Sequence, residues 1–197
     1  IQCPNGWRDW MLKTALHFSR QLLAEVLQPG DIAVDATMGN GHDTLFMAEC
    51  VGKTGLVYAF DIQAQAIEAT KARLTDTPFE QRVQLIFDGH QNLALYLPKE
   101  TTIKAAIFNL GYLPKSDKSI ITLPNTTKKA LDALLERLEP KGRVVLVAYY
   151  GHEGGEAELS TVRHYCEQLP QERYNVLNYQ FINQKNQPPI LFCIEKK

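Results

Sequence analysis

Long apolar runs are missing from this chain, and nothing in it approaches the ~20 residues a membrane-spanning helix needs, so no membrane partner is expected. Cysteine is scarce. Cys3, Cys50, Cys166 and Cys193 are scattered, with no C-x-x-C pair and no histidine at finger spacing. That argues against a disulfide framework or a structural metal, and fits reduced thiols in a cytoplasmic protein. A surplus of charge is absent too, with 21 Lys and Arg against 22 Asp and Glu, a formal net charge of −1. The whole molecule therefore carries no nucleic-acid signature: no DNA partner is expected, and RNA would have to be gripped by a local patch. Internal repeats, low-complexity linkers and a signal peptide are likewise lacking, and the opening at Ile1 rather than Met suggests a missing N-terminal piece. A length of 197 residues suits one domain with a sizeable core. The expected organisation is a single domain over 1–197, with residues 1–30 as an N-terminal helical extension. A homodimer is left open.

What is present alternates. Trp10, Leu12, Leu16, Leu23 and Leu27, set among polar residues from Asp9 to Leu27, predict an amphipathic helix stopped at Pro29-Gly30. Strands are expected at Ile32–Asp35, Gly55–Asp61, Val83–Phe87, Ala105–Asn109 and Gly142–Ala148. Helical patterns fall between or after them at Asp43–Cys50, Ala64–Leu74, Asn92–Tyr96, Thr126–Leu138 and Glu156–Leu169. Two further strands, Tyr174–Phe181 and Ile190–Glu195, follow without an intervening helix. The pattern predicts an α/β, Rossmann-like fold: a seven-stranded, mostly parallel sheet with an antiparallel C-terminal hairpin and helices on both faces. The hairpin separates this layout from a plain dinucleotide fold and matches class I methyltransferases.

The segment from Ala33 to Thr44 is the most informative. An apolar strand ends in Asp35, passes through Thr37, Gly39, Asn40 and Gly41, and opens a helix at His42, Asp43 and Thr44. Strand, glycine turn and helix N-terminus are where α/β proteins hold nucleotide-like ligands. The acid at the strand end would repel a pyrophosphate and welcome a cation, and Thr44 stands where a third dinucleotide-binding glycine belongs. S-adenosylmethionine (SAM), with its sulfonium and ammonium, fits better than NAD. Asp43 is read either as part of this turn or as a helix cap. Asp61, about twenty residues on, either accepts both ribose hydroxyls or caps the next helix. Asp88-Gly89-His90 ends the third strand, where Asp88 would accept from an adenine amine or merely make a turn.

The fourth strand ends in Asn109-Leu110-Gly111-Tyr112, a partial match to the Asn-x-Pro-Pro-aromatic motif of methyltransferases acting on nitrogen, with Gly111 replacing the first proline. There the Asn oxygen and the next carbonyl accept from the target amine and aim its lone pair at the methyl carbon. The alternative is a simple turn. An alkylammonium of pKa near 10 is only ~0.1% neutral at pH 7, equivalent to about 4 kcal/mol on the barrier. The pocket must therefore lower that pKa and place a proton acceptor. Tyr112, Tyr149, Tyr150 and His152 are candidates, though a solvated loop histidine is an equal reading of His152. Lysines between Lys115 and Lys129, with Arg143 and Lys185, would form a phosphate-gripping patch or a solvated loop.

Five strings now coincide: Asp-Ala-Thr-x-Gly-Asn-Gly-His-Asp-Thr, Phe-Asp-Ile-Gln, Asn-Leu-Gly-Tyr-Leu-Pro-x-x-Asp-Lys, Tyr-Tyr-Gly-His and Asn-Gln-x-Asn-x-Pro-Pro. Together they resemble the YtqB/MnmM family from Asp35 to Pro189. The resemblance implies SAM-dependent conversion of 5-aminomethyl-2-thiouridine to 5-methylaminomethyl-2-thiouridine at the tRNA wobble position, with the anticodon loop as partner. It implies cofactor contacts by Asp35, Gly39, Asn40, Gly41, Asp61, Gln63, Asp88 and His90, with Thr37, Asp43, Thr44 and Gly89 beside them. Asn109 to Tyr112, Asp117, Lys118, Tyr149 and His152 would place the substrate. Competing readings are methylation of rRNA or of a small amine, a non-catalytic SAM- or nucleotide-binding module and, more distantly, NAD-dependent hydride transfer.

Overall fold

Strands covered by helices on both sides carry apolar side chains to both faces. In the computed structural model, which describes residues 12–111, 124–151 and 154–197, this holds for β1 (Ile32–Asp35), β2 (Leu56–Asp61), β4 (Ile103–Leu110) and the second half of β5 (Leu138–Ala148), which are almost wholly buried. With β3 (Val83–Phe87), β6 (Tyr174–Tyr179) and β7 (Ile190–Lys196) they form one sheet in the order β3-β2-β1-β4-β5-β7-β6. The first five strands run parallel, and β7 enters antiparallel between β5 and β6. The expected seven-stranded α/β architecture is the one observed.

Side chains alternate across the sheet. Ala33, Val57, Ala105, Ile107, Val145 and Val147 pack beneath α1 (Ala15–Ala24) and α2 (His42–Val51), and Ala59 meets Ala66 of α3 (Ala64–Leu74). Val34, Phe60, Ala106, Phe108 and Leu146 face α4 (Pro124–Arg137) and α5 (Gly155–Glu167). The chain order turns back between β1 and β4, so their C-terminal ends diverge from a common crevice, where open α/β sheets bind ligands. Among the described residues no helix is long and apolar enough to cross a membrane.

Three expectations are corrected. The first helix was expected from Asp9, yet it starts at Ala15: Thr14 caps it by accepting from the His17 N–H, and Leu12 is 75% exposed rather than on the buried face. Leu138 was expected to end a helix but opens β5, pairing with Ile103. Lys141, at φ 62°, and a register shift between Ile103 and Ala105 then bring Arg143 opposite Ala105. Arg143 itself does not join an RNA-facing patch. It lies near the start of β5, donating to Glu25 at 2.6 Å, Glu195 at 2.9 Å and the Leu22 carbonyl at 2.9 Å. It fastens α1 to the sheet, four residues along the strand from the partner of Asn109.

Arg143→Ala should therefore loosen α1 while sparing the sheet. Amide exchange within Ala15–Ala24 is expected to accelerate at least ~10-fold, the effect of losing one or two charge-assisted hydrogen bonds, with β4 unchanged. Uniform acceleration would show that the contact supports the whole fold.

Candidate active site

The crevice is built on buried acids. Asp35 has no exposed surface. Its carboxylate accepts from Thr44 Oγ1 at 2.6 Å and from the Thr37 N–H at 3.2 Å, tying the end of β1 to the first turn of α2. Thr37 Oγ1 in turn accepts from the Asn109 N–H at 2.7 Å, which locks the end of β4 to the glycine turn. Gly41, at φ 75°, is the N-cap of α2, and no side chain caps that helix. A Cβ on Gly41 would meet the Thr70 side chain at 2.8 Å and Thr70 Cα at 2.9 Å, so only glycine allows this approach of turn to α3. Thr70 Oγ1 donates to the Gly39 carbonyl at 3.0 Å, and Arg73 Nε donates to the Asn40 carbonyl at 2.6 Å. Arg73 also bonds His42 Nε2 at 3.0 Å, leaving that ring nitrogen as the acceptor.

Asp61 ends β2 with its carboxylate accepting from the Gly39 N–H and the Gln63 N–H, each at 3.0 Å. It is half-buried, and burial raises its pKa above the ordinary value. Gln63, not Asp61, is the N-cap residue of α3, and its side chain makes no capping bond. Asp88 is committed to its own turn. Its carboxylate accepts from the Gly89 N–H, Asn92 Nδ2 and Tyr96 OH at 2.7, 3.0 and 2.7 Å, and these bonds lower its pKa. Gly89 has ordinary extended backbone and precedes a 3-10 helix, His90–Leu95, where an α-helical turn over Asn92–Tyr96 was expected. His90 is buried against the Phe108 ring, with Nδ1 3.0 Å from the Ala36 carbonyl. A carbonyl only accepts, so Nδ1 carries the proton, and burial keeps the ring neutral by depressing its pKa. Nε2 is then a buried acceptor with no partner among the described residues.

The reacting end gathers around Asn109. Its side chain points to the α2 face and donates through Nδ2 to Asp43 Oδ2 at 2.9 Å. Its Oδ1 is buried and makes no hydrogen bond among the described residues. Asp43 is not the helix cap. It is 7% exposed, and its other oxygen accepts from Arg20 Nε of α1 at 2.8 Å. The Leu110 carbonyl accepts from the Tyr149 N–H at 2.9 Å, leaving one lone pair free. Gly111 has φ 154°, which a proline ring cannot adopt, so the motif's first proline has no place here. Tyr149 is 39% exposed, and partial burial with the charge of Asp43 raises its hydroxyl pKa. It therefore stays protonated at neutral pH and can donate, not act as a base. Gly151 stands against Gln187, so the Asn183–Pro189 connection reaches this same edge. Tyr112, Asp117, Lys118 and His152 lie outside the described residues. Arg20, Thr70 and Arg73 were missed by sequence reasoning, because no local pattern links them to residues 23 to 33 positions away.

Two buried acceptors without partners among the described residues, and a glycine cradle backed by acids, fit a nucleoside-bearing cation. Seven strands in this order, with such a cradle at the switch point, define a class I methyltransferase. A family model described as "Putative rRNA methylase" matches residues 57–195, and the chain belongs to that family. It is 37% identical to the chloroplastic tRNA (mnm(5)s(2)U34)-methyltransferase of Arabidopsis thaliana, over 94% of this chain and 70% of that protein. A crystal structure described as a "putative rRNA-methylase" from Clostridium thermocellum superposes with a TM-score of 0.92 at 44% identity, covering 95% of this chain and all of that one. A structure described as "a putative methyltransferase" from Streptococcus mutans in complex with SAH gives 0.87 at 44% identity, with the same coverage. These matches agree with the YtqB/MnmM resemblance of the sequence.

Burial first, then the charge of Asp43, pushes the Asp35 carboxyl from 3.8 up to about 7. The ligand-free folded protein thus holds a proton that the unfolded chain has released across that window. Stability therefore falls as pH rises from about 4 to about 7, by up to ~1.4 kcal/mol per unit. Thermal melts of Asp35→Asn between pH 5 and 8 should lose that part of the slope; an unchanged slope would assign it elsewhere.

Proposed function

We propose that this chain is a SAM-dependent N-methyltransferase that converts 5-aminomethyl-2-thiouridine to 5-methylaminomethyl-2-thiouridine at the wobble position of cytoplasmic tRNA. The observation that carries the reading is the Oδ1 of Asn109 at the end of β4, buried and without a hydrogen-bond partner among the described residues. An orphaned acceptor is costly to keep, and an amine N–H is the partner it lacks. The name of the Arabidopsis relative supports the substrate, and the family description supports RNA more broadly.

SAM, when bound, supplies a sulfonium methyl open to in-line displacement. Asp61 is the side chain to accept the ribose hydroxyls, through lone pairs left over from Gly39 and Gln63. Gly39, without a Cβ, would let the turn's backbone approach the cofactor, and the buried His90 Nε2 would offer it a neutral acceptor. Asn109 Oδ1 and the free lone pair of the Leu110 carbonyl accept from the substrate amine and fix its lone pair in line. Tyr149 OH donates to the substrate. The anticodon loop is the RNA element this edge would receive, with Lys118 and Asp117 contacting it.

Methyl transfer from labelled SAM to tRNA lacking the final wobble methylation, read by nucleoside mass spectrometry, tests the proposal. A 5-methylaminomethyl-2-thiouridine product is expected; label appearing only in rRNA or a small amine would replace the substrate while keeping the chemistry. Asp61→Ala should weaken SAM binding ~10- to 100-fold in calorimetry, the scale of one or two charge-assisted hydrogen bonds. Unchanged affinity would remove the ribose role. Asn109→Ala should lower kcat by ~10²-fold or more with SAM affinity retained, as for loss of one transition-state contact; equal turnover would refute the amine-accepting role.

A further inference from the structure

A carboxamide is nearly symmetric in shape, so Asn109 serves an amine only if its oxygen, not its NH2, faces that amine. Nothing in the Asn109 side chain itself decides this. The neighbour does. Asp43 is acceptor-only when ionised, so the group turned toward it at 2.9 Å has to be Nδ2, and Oδ1 is left on the other side. Asp43 is in turn held by Arg20, whose Nε donates to Oδ1 at 2.8 Å and so reserves Oδ2 for Asn109. Arg20 is seated over the Phe46 ring, 5.7 Å from its centroid, one turn along α2 from Asp43.

We propose that Asp43, anchored by Arg20 of the N-terminal helix, is the positioning residue that fixes the Asn109 carboxamide with its oxygen toward the methyl-accepting amine. The donors converge on Asp43, the guanidinium on Oδ1 and the Asn109 NH2 on Oδ2, which leaves the Asn109 amide oxygen to accept from the substrate amine. The proposal rests on the reading of Asn109 as the amine acceptor, and adds to it a cause for its orientation. It also assigns α1 a part in catalysis, since that helix supplies the charge that keeps Asp43 in place.

This convergence makes the test sharp. In Asp43→Asn the new amide still faces Arg20 with its oxygen, because Arg20 only donates. Its NH2 then faces Asn109, whose carboxamide must flip and present NH2 to the amine. The expected result is a kcat at least ~50-fold lower on tRNA lacking the wobble methyl, with KM and the Kd for S-adenosylhomocysteine within about threefold of the parent. Asn109→Asp places two carboxylates face to face and should be similarly poor. The double exchange D43N/N109D reverses the pair, with a donor at 43 and an acceptor at 109 that still turns an oxygen to the amine. It should recover turnover to within about tenfold of the parent, far above either single change.

Retained turnover in Asp43→Asn, or a double exchange no better than the single ones, overturns the proposal. If Asp43→Asn fails to melt cooperatively or to bind S-adenosylhomocysteine, Arg20→Gln and Arg20→Lys decide. Arg20→Gln should lower kcat about tenfold with cofactor affinity kept, and Arg20→Lys should restore most of it; equal activity of both with the parent overturns the proposal. The unmodified enzyme, assayed alongside, separates the two levels. No turnover by the parent on tRNA sinks the substrate reading and this inference together. Parental turnover with an indifferent Asp43→Asn sinks the inference alone.

Discussion

Everything at the functional edge hangs from a carboxylate with no access to water. Burying the Asp35 carboxyl group is costly unless its oxygens are satisfied, and the sequence meets that demand twice within nine residues, through Thr37 and Thr44. Those bonds fix the exit of β1 and the entry of α2 relative to each other. Thr37 then passes the constraint to β4 through the Asn109 N–H. Asp61, Thr70 and Arg73 hold the turn from β2 and α3 by its own backbone groups. The cradle is rigid before any ligand arrives, which is what a site needs if binding is not to be spent on ordering it.

The acids divide by the work they do. Asp88 spends its oxygens on its own turn and keeps a low pKa; Asp61 is half-buried and only partly committed. Asp43 faces one helix and one strand with a single oxygen for each. The three acids at strand ends differ in burial as well, with no surface exposed at Asp35 and half-buried side chains at Asp61 and Asp88.

The parallel strands were legible because each holds a short apolar run closed by a turn residue, and Asp35, Gly39, Gly41, Asp61 and Asn109 sit at or just after those closures. Boundaries slipped where tertiary contacts overrode local pattern: the bulge that turns Leu138 into strand, and the Thr14 cap that shortens the first helix. Arg143 reads as one more surface cation, and only the fold reveals it between Glu25 and Glu195. Arg20 was hidden for the same reason. Its partner is 23 residues away, and a charged residue on the polar face of an amphipathic helix carries no local mark of its partner.

The path of α1 has one more consequence. The helix packs on β5 and on β7, the last strand in chain order, and the Tyr179 hydroxyl on β6 donates to the Lys13 carbonyl beside its start. α1 therefore has no finished seat until β7, far from it in sequence, has slotted between β5 and β6. Glycine turn, Asp35 and Asn109 lie on elements that precede β7 in the chain, whereas the helix that carries Arg20 needs β7 to complete its support. The far end of the sheet thus underwrites the placing of a side chain at the crevice.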